Sequence, residues 1–139
     1  MPHPLVARLD LSPHPEGGWF RETMRVPSVE GARGLATAIL FLLDAGERSH
    51  WHRVDAAELW IWNAGDPLTL LIAATGTDSN GVVEHVLGPA NPQVIVPSLA
   101  WQAAEPRSGW ALVSCVVVPA FDFAGFELAP PGWYPPGKE

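Results

Sequence analysis

Lysine is almost missing from this chain: Lys138 is the only one in 139 residues, and eight lysines and arginines stand against fifteen aspartates and glutamates, for a formal net charge of -7. That balance excludes a nucleic-acid partner as the expectation, because phosphate neutralisation calls for clustered cations and the arginines here are dispersed. Cysteine is as scarce. Cys115 has no second thiol with which to close an internal disulfide or to form the cysteine pair of a zinc or iron–sulfur site. Inside the Val-rich run 111–118 it reads as a buried, inert thiol in a reducing compartment. No apolar run approaches the roughly 20 residues that a bilayer-spanning helix requires. The run 110–118 is interrupted by Ser114 and closed by Pro119. The start, Met-Pro-His-Pro, lacks the basic residues and continuous apolar stretch of a secretory signal. The expectation is a cytoplasmic protein with no membrane partner.

Sustained helical periodicity is missing too. Fifteen prolines and thirteen glycines cut the chain into short pieces, as in a sheet of many short strands joined by turns. Strands are expected over 18–25, 34–43, 49–53, 58–63, 67–74, 82–87, 94–96, 101–104, 111–118 and 123–128. Asp78-Ser79-Asn80-Gly81 is expected to be a hairpin turn, since Asn-Gly favours the positive φ angles of type I′. Residues 7–11 read as a short helix or an extended arm. Without crossover helices the strands must be mostly antiparallel, in an all-β barrel or two-sheet sandwich. One domain is expected over 1–139, with an N-terminal arm at 1–17 and a proline-rich tail at 130–139. Sheet edges of so small a barrel often pair between subunits, so a homodimer is expected.

What the chain does have is tryptophan, seven in all, and one dense polar cluster, Ser49-His50-Trp51-His52-Arg53 followed by Glu58. In a regular strand His50 and His52 share a face, as do Glu58, Trp60 and Trp62 on the next. Two imidazoles and a carboxylate converging inside a barrel could ligate a divalent metal. They could equally serve as a general base with an orienting partner, or form a hydrogen-bonded core network. A bulge at Trp51 would turn His50 away.

The spacing Gly46-x3-His50-x-His52-x5-Glu58-x6-Gly65 resembles the first cupin motif, with one extra residue before the acid. Where the second motif carries a histidine, this chain has Gln102, a poor transition-metal ligand. The match is closer to the cupin family of predicted sugar epimerases, a domain-of-unknown-function cupin. It is carried by His14-Pro-Glu-Gly-Gly-Trp-Phe-Arg-Glu22, Ser49-x-x-His52-Arg53 with Glu58-x-Trp60, Ala64-Gly65-Asp66-Pro67-Leu68 and Trp101-Gln102-Ala103-Ala104. Gly109-Trp110-x-Leu112-Val113-Ser114-Cys115 and Phe121-x-Phe123-x-x-Phe126-Glu127-Leu128 continue it in order.

The resemblance implies a cupin jelly-roll barrel (a double-stranded β-helix) and a small-molecule ligand. By analogy with metal-free deoxythymidine-diphosphate-sugar epimerases, it implies a sugar-like isomerase or epimerase with His52 as base and Glu58 orienting it. The same likeness makes Arg21 an anion anchor on a ligand-holding strand with Glu22; beside it, Gln102 is read as a hydrogen-bond donor to a substrate carbonyl, and Trp60, Trp62 and Trp101 as a pocket wall. Those epimerases use a tyrosine acid, and the only tyrosine here, Tyr134, lies in the tail. Two other readings stand beside this one. The first is a metal-dependent lyase or dioxygenase holding one divalent metal ion on His50, His52 and Glu58; the second is a barrel that binds a ligand without changing it.

Overall fold

The computed structural model describes residues 1–73 and 81–135. The expected turn at 78–81 and the end of the tail, with Lys138, lie largely outside the described residues. A short helix, α1 (Pro4–Arg8), opens the chain, with proline at its first position and His3 Nδ1 accepting the Leu5 N–H. Eleven strands follow among the described residues: β1 (Ser12–Pro13), β2 (Trp19–Val26), β3 (Ala36–Leu43), β4 (Ser49–Val54), β5 (Ala57–Gly65), β6 (Leu68–Ala73), β7 (Val82–Leu87), β8 (Gln93–Val96), β9 (Trp101–Pro106), β10 (Ala111–Val118) and β11 (Phe126–Leu128). They form two antiparallel sheets, in the orders β1-β2-β3-β10-β5-β8 and β11-β4-β9-β6-β7. The all-β, antiparallel architecture is the expected one. Among the described residues no helix is long and apolar enough to cross a membrane.

Three segments differ from expectation, the first being the short helix, which lies at Pro4–Arg8 rather than 7–11. Residues 123–125 form a 3-10 turn rather than strand, because the Asp122 carboxylate accepts the Ala124 N–H and caps it; only Phe126–Leu128 pairs with β4. The N-terminal arm is built into the barrel, since β1 pairs with the start of β2.

Alternation decides what faces inward. In β10, Ala111, Val113, Cys115 and Val117 are buried while their neighbours are more open, as the two-residue period of a strand requires. Antiparallel registry extends these positions into rows across the first sheet. Thr37, Val117, Glu58 and Val96 form one row; Ile39, Cys115, Trp60 and Val94 the next; Phe41, Val113 and Trp62 the third. The third row joins Leu43, Leu68, Leu70, Leu87 and Ala111 in the main core, which plugs one end of the space between the sheets. Each fully buried Leu, Val or Phe contributes about 1.5–3 kcal/mol of transfer free energy there. Thr37 and Glu58 interrupt the apolar lining at the other end, and that end is hollow.

Candidate active site

The hollow end is a cavity of about 480 Å³ reached by Thr37, Ile39, Phe41, Glu58, Cys115 and Val117 from the first sheet and by His52 and Val54 from β4. Two bulges determine which further side chains enter it. On β2 the register shifts between Glu22 and Met24: Glu22 stands opposite Ile39, Met24 opposite Ala38 and Arg25 opposite Thr37. The extra residue, Thr23, reverses the alternation. Phe20, Glu22 and Arg25 therefore line the cavity, whereas Arg21 and Met24 do not. Arg25 donates to both Glu22 carboxylate oxygens, at 2.8 and 3.2 Å. A second cation, Arg33, also lines the cavity and makes a two-pronged bond to Asp55 at 2.8 and 3.0 Å.

On β4, Ser49 pairs with Ala104 and His52 with Gln102, so one residue is extra between them. Ser49 and His52 both point inward and are fully buried, 0% and 1% exposed. His50 and Trp51 point away from the cavity, Trp51 into a second buried cluster with Ala103, Ala129 and Trp133. The His50 Nε2–H donates to the Pro130 carbonyl at 2.9 Å, and His50 borders a separate cleft with Arg48, Trp133 and Tyr134.

The remaining wall comes from the loop before β2. Gly17 and Gly18 adopt φ of +114° and +74°, and a Cβ on Gly17 would strike the Arg48 carbonyl. Only glycine allows this approach. The loop therefore lies against β4, where the His50 N–H donates to the Glu16 carbonyl at 2.8 Å. This carries the Glu16 carboxyl inward. Its Oε2 accepts a short hydrogen bond from the Ser49 hydroxyl, and its Oε1 stands 3.4 Å from both His14 Nδ1 and His52 Nε2.

Proton positions follow from the partners. His52 Nδ1 faces the His50 carbonyl at 2.8 Å. A carbonyl only accepts, so Nδ1 carries the hydrogen and Nε2 keeps a bare lone pair. His14 Nδ1 accepts the Glu16 N–H at 3.2 Å, so it carries no hydrogen and its lone pair is engaged. On the opposite wall, Trp60 Nε1–H donates to Gln102 Oε1 at 2.8 Å, and Gln102 Nε2–H donates to Glu58 Oε1 at 2.9 Å.

Burial sets the charges, because a dry site disfavours every ionised form. It pushes the Glu16 carboxyl up to about 8, against the opposing pull of the Ser49 hydroxyl. It pushes His14 down to about 4, helped by the nearby His52. Burial also lowers His52, with the Glu58 charge opposing, and raises Glu58, with His52 opposing. The His14–Glu16 and His52–Glu16 contacts are therefore neutral contacts rather than ion pairs. The Cys115 thiol beneath them is raised well above its ordinary value by burial.

A family model described as "Cupin superfamily (DUF985)" matches residues 3–129. The chain belongs to that cupin family. A protein from Shewanella oneidensis is 33% identical to it with a TM-score of 0.80, over 93% of this chain and 85% of the other. A hypothetical protein from Leishmania major is 32% identical with a TM-score of 0.77, over 89% and 84% of the two chains. A dTDP sugar isomerase from Desulfovibrio desulfuricans shares the fold at 14% identity and a TM-score of 0.63, over 84% and 83%. No curated protein matches the chain.

In this cupin, His52, Glu58 and Glu22 of the expected site residues reach the cavity. The others are placed elsewhere. Arg21 sits on the exposed face of β2, and Arg25 takes the inward place because of the bulge at Thr23. Trp60 and Trp62 pack into the apolar plug, where their indole N–H groups bond Gln102 and the Asp66 carbonyl. Trp101 stacks on the far side of its sheet between Trp133 and Arg53. Gln102 is buried behind Glu58 with one amide atom on Trp60 and the other on Glu58. The structure thus corrects the pocket-wall reading of the tryptophans. It corrects the metal reading as well: His50 faces away from His52 and Glu58, so the three are not one ligand set. Among the described residues, no group of three or more His, Cys, Asp or Glu is disposed to hold a metal ion.

Glu16, His14 and Ser49 are the site residues that sequence reasoning missed. The available signal was Pro15-Glu16-Gly17-Gly18, a carboxylate beside two residues that permit a sharp reversal against another backbone.

Proposed function

We propose that this cupin is an isomerase or epimerase of a small, polar, sugar-like substrate, in which His52 removes a proton from the carbon beside a carbonyl. One observation carries the reading: His52 presents a bare Nε2 to the cavity while its Nδ1–H is anchored on the His50 carbonyl at 2.8 Å. A neutral imidazole held in one tautomer is a general base that needs no prior deprotonation at pH 7. Glu58 supports it, because the two groups are coupled: the charged form of each favours the charged form of the other, so the imidazolium formed once the proton has moved is favoured beside it. Gln102 and Trp60 hold Glu58 in place as positioning residues. The fold shared with a sugar isomerase supports the class by analogy only.

The test is hydrogen exchange. The protein is incubated in D2O with aldoses, ketoses and keto-sugar nucleotides, and proton NMR follows the signal beside each carbonyl. The expected result is loss of that signal for at least one probe, reduced about 100-fold or more in His52→Gln. If every probe keeps its protons, or His52→Gln exchanges as fast as the wild type, the reading is wrong.

A further inference from the structure

Among the described residues, Glu16 is the one buried carboxyl that proton abstraction by His52 leaves without a task. It is 9% exposed and lines the cavity. Its Oε1 stands 3.4 Å from two ring nitrogens, His14 Nδ1 and His52 Nε2, and both carry lone pairs by the hydrogen bonds described above. The His14 lone pair is taken by the Glu16 N–H, and an ionised Oε1 facing the lone pair of His52 Nε2 would be repelled by it. An O–H on Oε1 turns the same geometry into attraction, so the proton belongs there. Oε2 is meanwhile fixed by the Ser49 hydroxyl. Tyr134 borders the separate cleft and offers no phenol to the cavity.

We propose that Glu16 is the acid of the site and that the substrate is an α-hydroxy aldehyde or ketone, whose carbonyl moves to the neighbouring carbon on one face through an enediol. This rests on His52 being the base. The base nitrogen and the acid oxygen are 3.4 Å apart, on one side of any molecule entering the cavity. They cannot invert a single carbon from opposite faces. They can reach two adjacent positions at once, a C–H and the neighbouring carbonyl oxygen.

The protons balance without any oxidant or reductant. His52 Nε2 takes the C–H proton as the C=C bond forms, and Glu16 gives its Oε1 proton to the carbonyl oxygen. The enediol's other hydroxyl then returns a proton to the Glu16 carboxylate. His52 delivers its own proton to the former carbonyl carbon, leaving both groups as they began. Burial, which holds Glu16 near 8, keeps the acid loaded at pH 7.

Two measurements on the full chain test this. The first needs no substrate: an infrared difference spectrum of wild type minus Glu16→Gln. At about pH 6.5 it is expected to contain a protonated-carboxyl C=O band, replaced by carboxylate bands above about pH 9. Carboxylate bands alone at the lower pH would overturn the proposal. Glu16→Gln is nearly isosteric and removes a carboxyl that is costly to ionise, so it should fold.

The second follows D-glucose, D-fructose, D-ribose and D-xylulose, with their terminal phosphates, by NMR in D2O. Aldose–ketose interconversion is expected, lowered about 100-fold in Glu16→Gln and partly restored in Glu16→Asp. The wild-type profile is expected to fall above about pH 8, a limb missing from the residual Glu16→Gln activity. Exchange with inversion but no carbonyl transposition, or full activity in Glu16→Gln, would overturn this proposal and leave His52 standing as base. No exchange with any probe would remove both.

Discussion

Gln102 does not line the cavity, so its amide is not offered to a ligand carbonyl. Its oxygen accepts from Trp60 and its nitrogen donates to Glu58, at 2.8 and 2.9 Å, in a region where all three side chains are buried. Removing it would strand an indole N–H and a carboxyl oxygen, each costing about 1–3 kcal/mol when left unpaired in the interior. Gln102→Leu is therefore expected to destabilise the fold by roughly 2–4 kcal/mol, read as a lower urea midpoint with unchanged m-value. It should also raise Glu58 further, because the Gln102 bond is one of the influences holding it down. An unchanged midpoint would mean that this chain of bonds contributes no stability. The sequence marked Gln102 as standing where a cupin histidine is expected, yet its partners lie 42 and 44 positions away, beyond what local pattern can reach. Glu16 was hidden for the same reason, since Ser49 is 33 positions on.

At the scale of elements, regularity was legible and irregularity was not. Expected strands at 82–87 and 111–118 coincide with β7 and β10 because alternation and flanking turns fix them. One inserted residue leaves composition and turn signals untouched while reversing every side chain beyond it. Two such insertions decide the site: Thr23 turns Arg25 inward, and the β4 bulge separates His50 from His52. The possibility of a bulge at Trp51 could be read from the sequence, but its presence could not. The consequence is testable. His50→Ala is expected to leave exchange by the protein within about two-fold of wild type, since only the backbone carbonyl of His50 meets His52. His52→Gln should lose about 100-fold or more. Equal losses in the two variants would put the His50 side chain back in the site.

For the whole molecule, the cluster makes stability depend on pH in a direction unusual for so acidic a chain. Two imidazoles are lowered by burial and two carboxyls are raised, so all four are favoured neutral in the folded state. Take His14 first, with an ordinary value of 6.5 and a folded value of about 4. Between those values the unfolded chain binds the extra proton, so stability falls as pH drops from 6.5 towards 4. Glu16 runs the other way, with an ordinary value of 4.5 and a folded value of about 8. Over that interval the folded chain holds the extra proton, so stability falls as pH rises. Between 4.5 and 6.5 the two slopes oppose each other and nearly cancel. Above 6.5 the histidines no longer contribute, and Glu16, with Glu58 acting in the same direction, lowers stability alone. Over the one and a half units to pH 8 the Glu16 contribution is about 2 kcal/mol. The melting temperature is therefore expected to be highest on a plateau near pH 4.5–6.5 and to decline towards pH 8. Glu16→Gln should flatten that decline and be more stable than wild type at pH 8, as measured by calorimetry across the range. A wild-type protein most stable at pH 8 would mean that Glu16 is ionised in the fold, and the acid role would go with it.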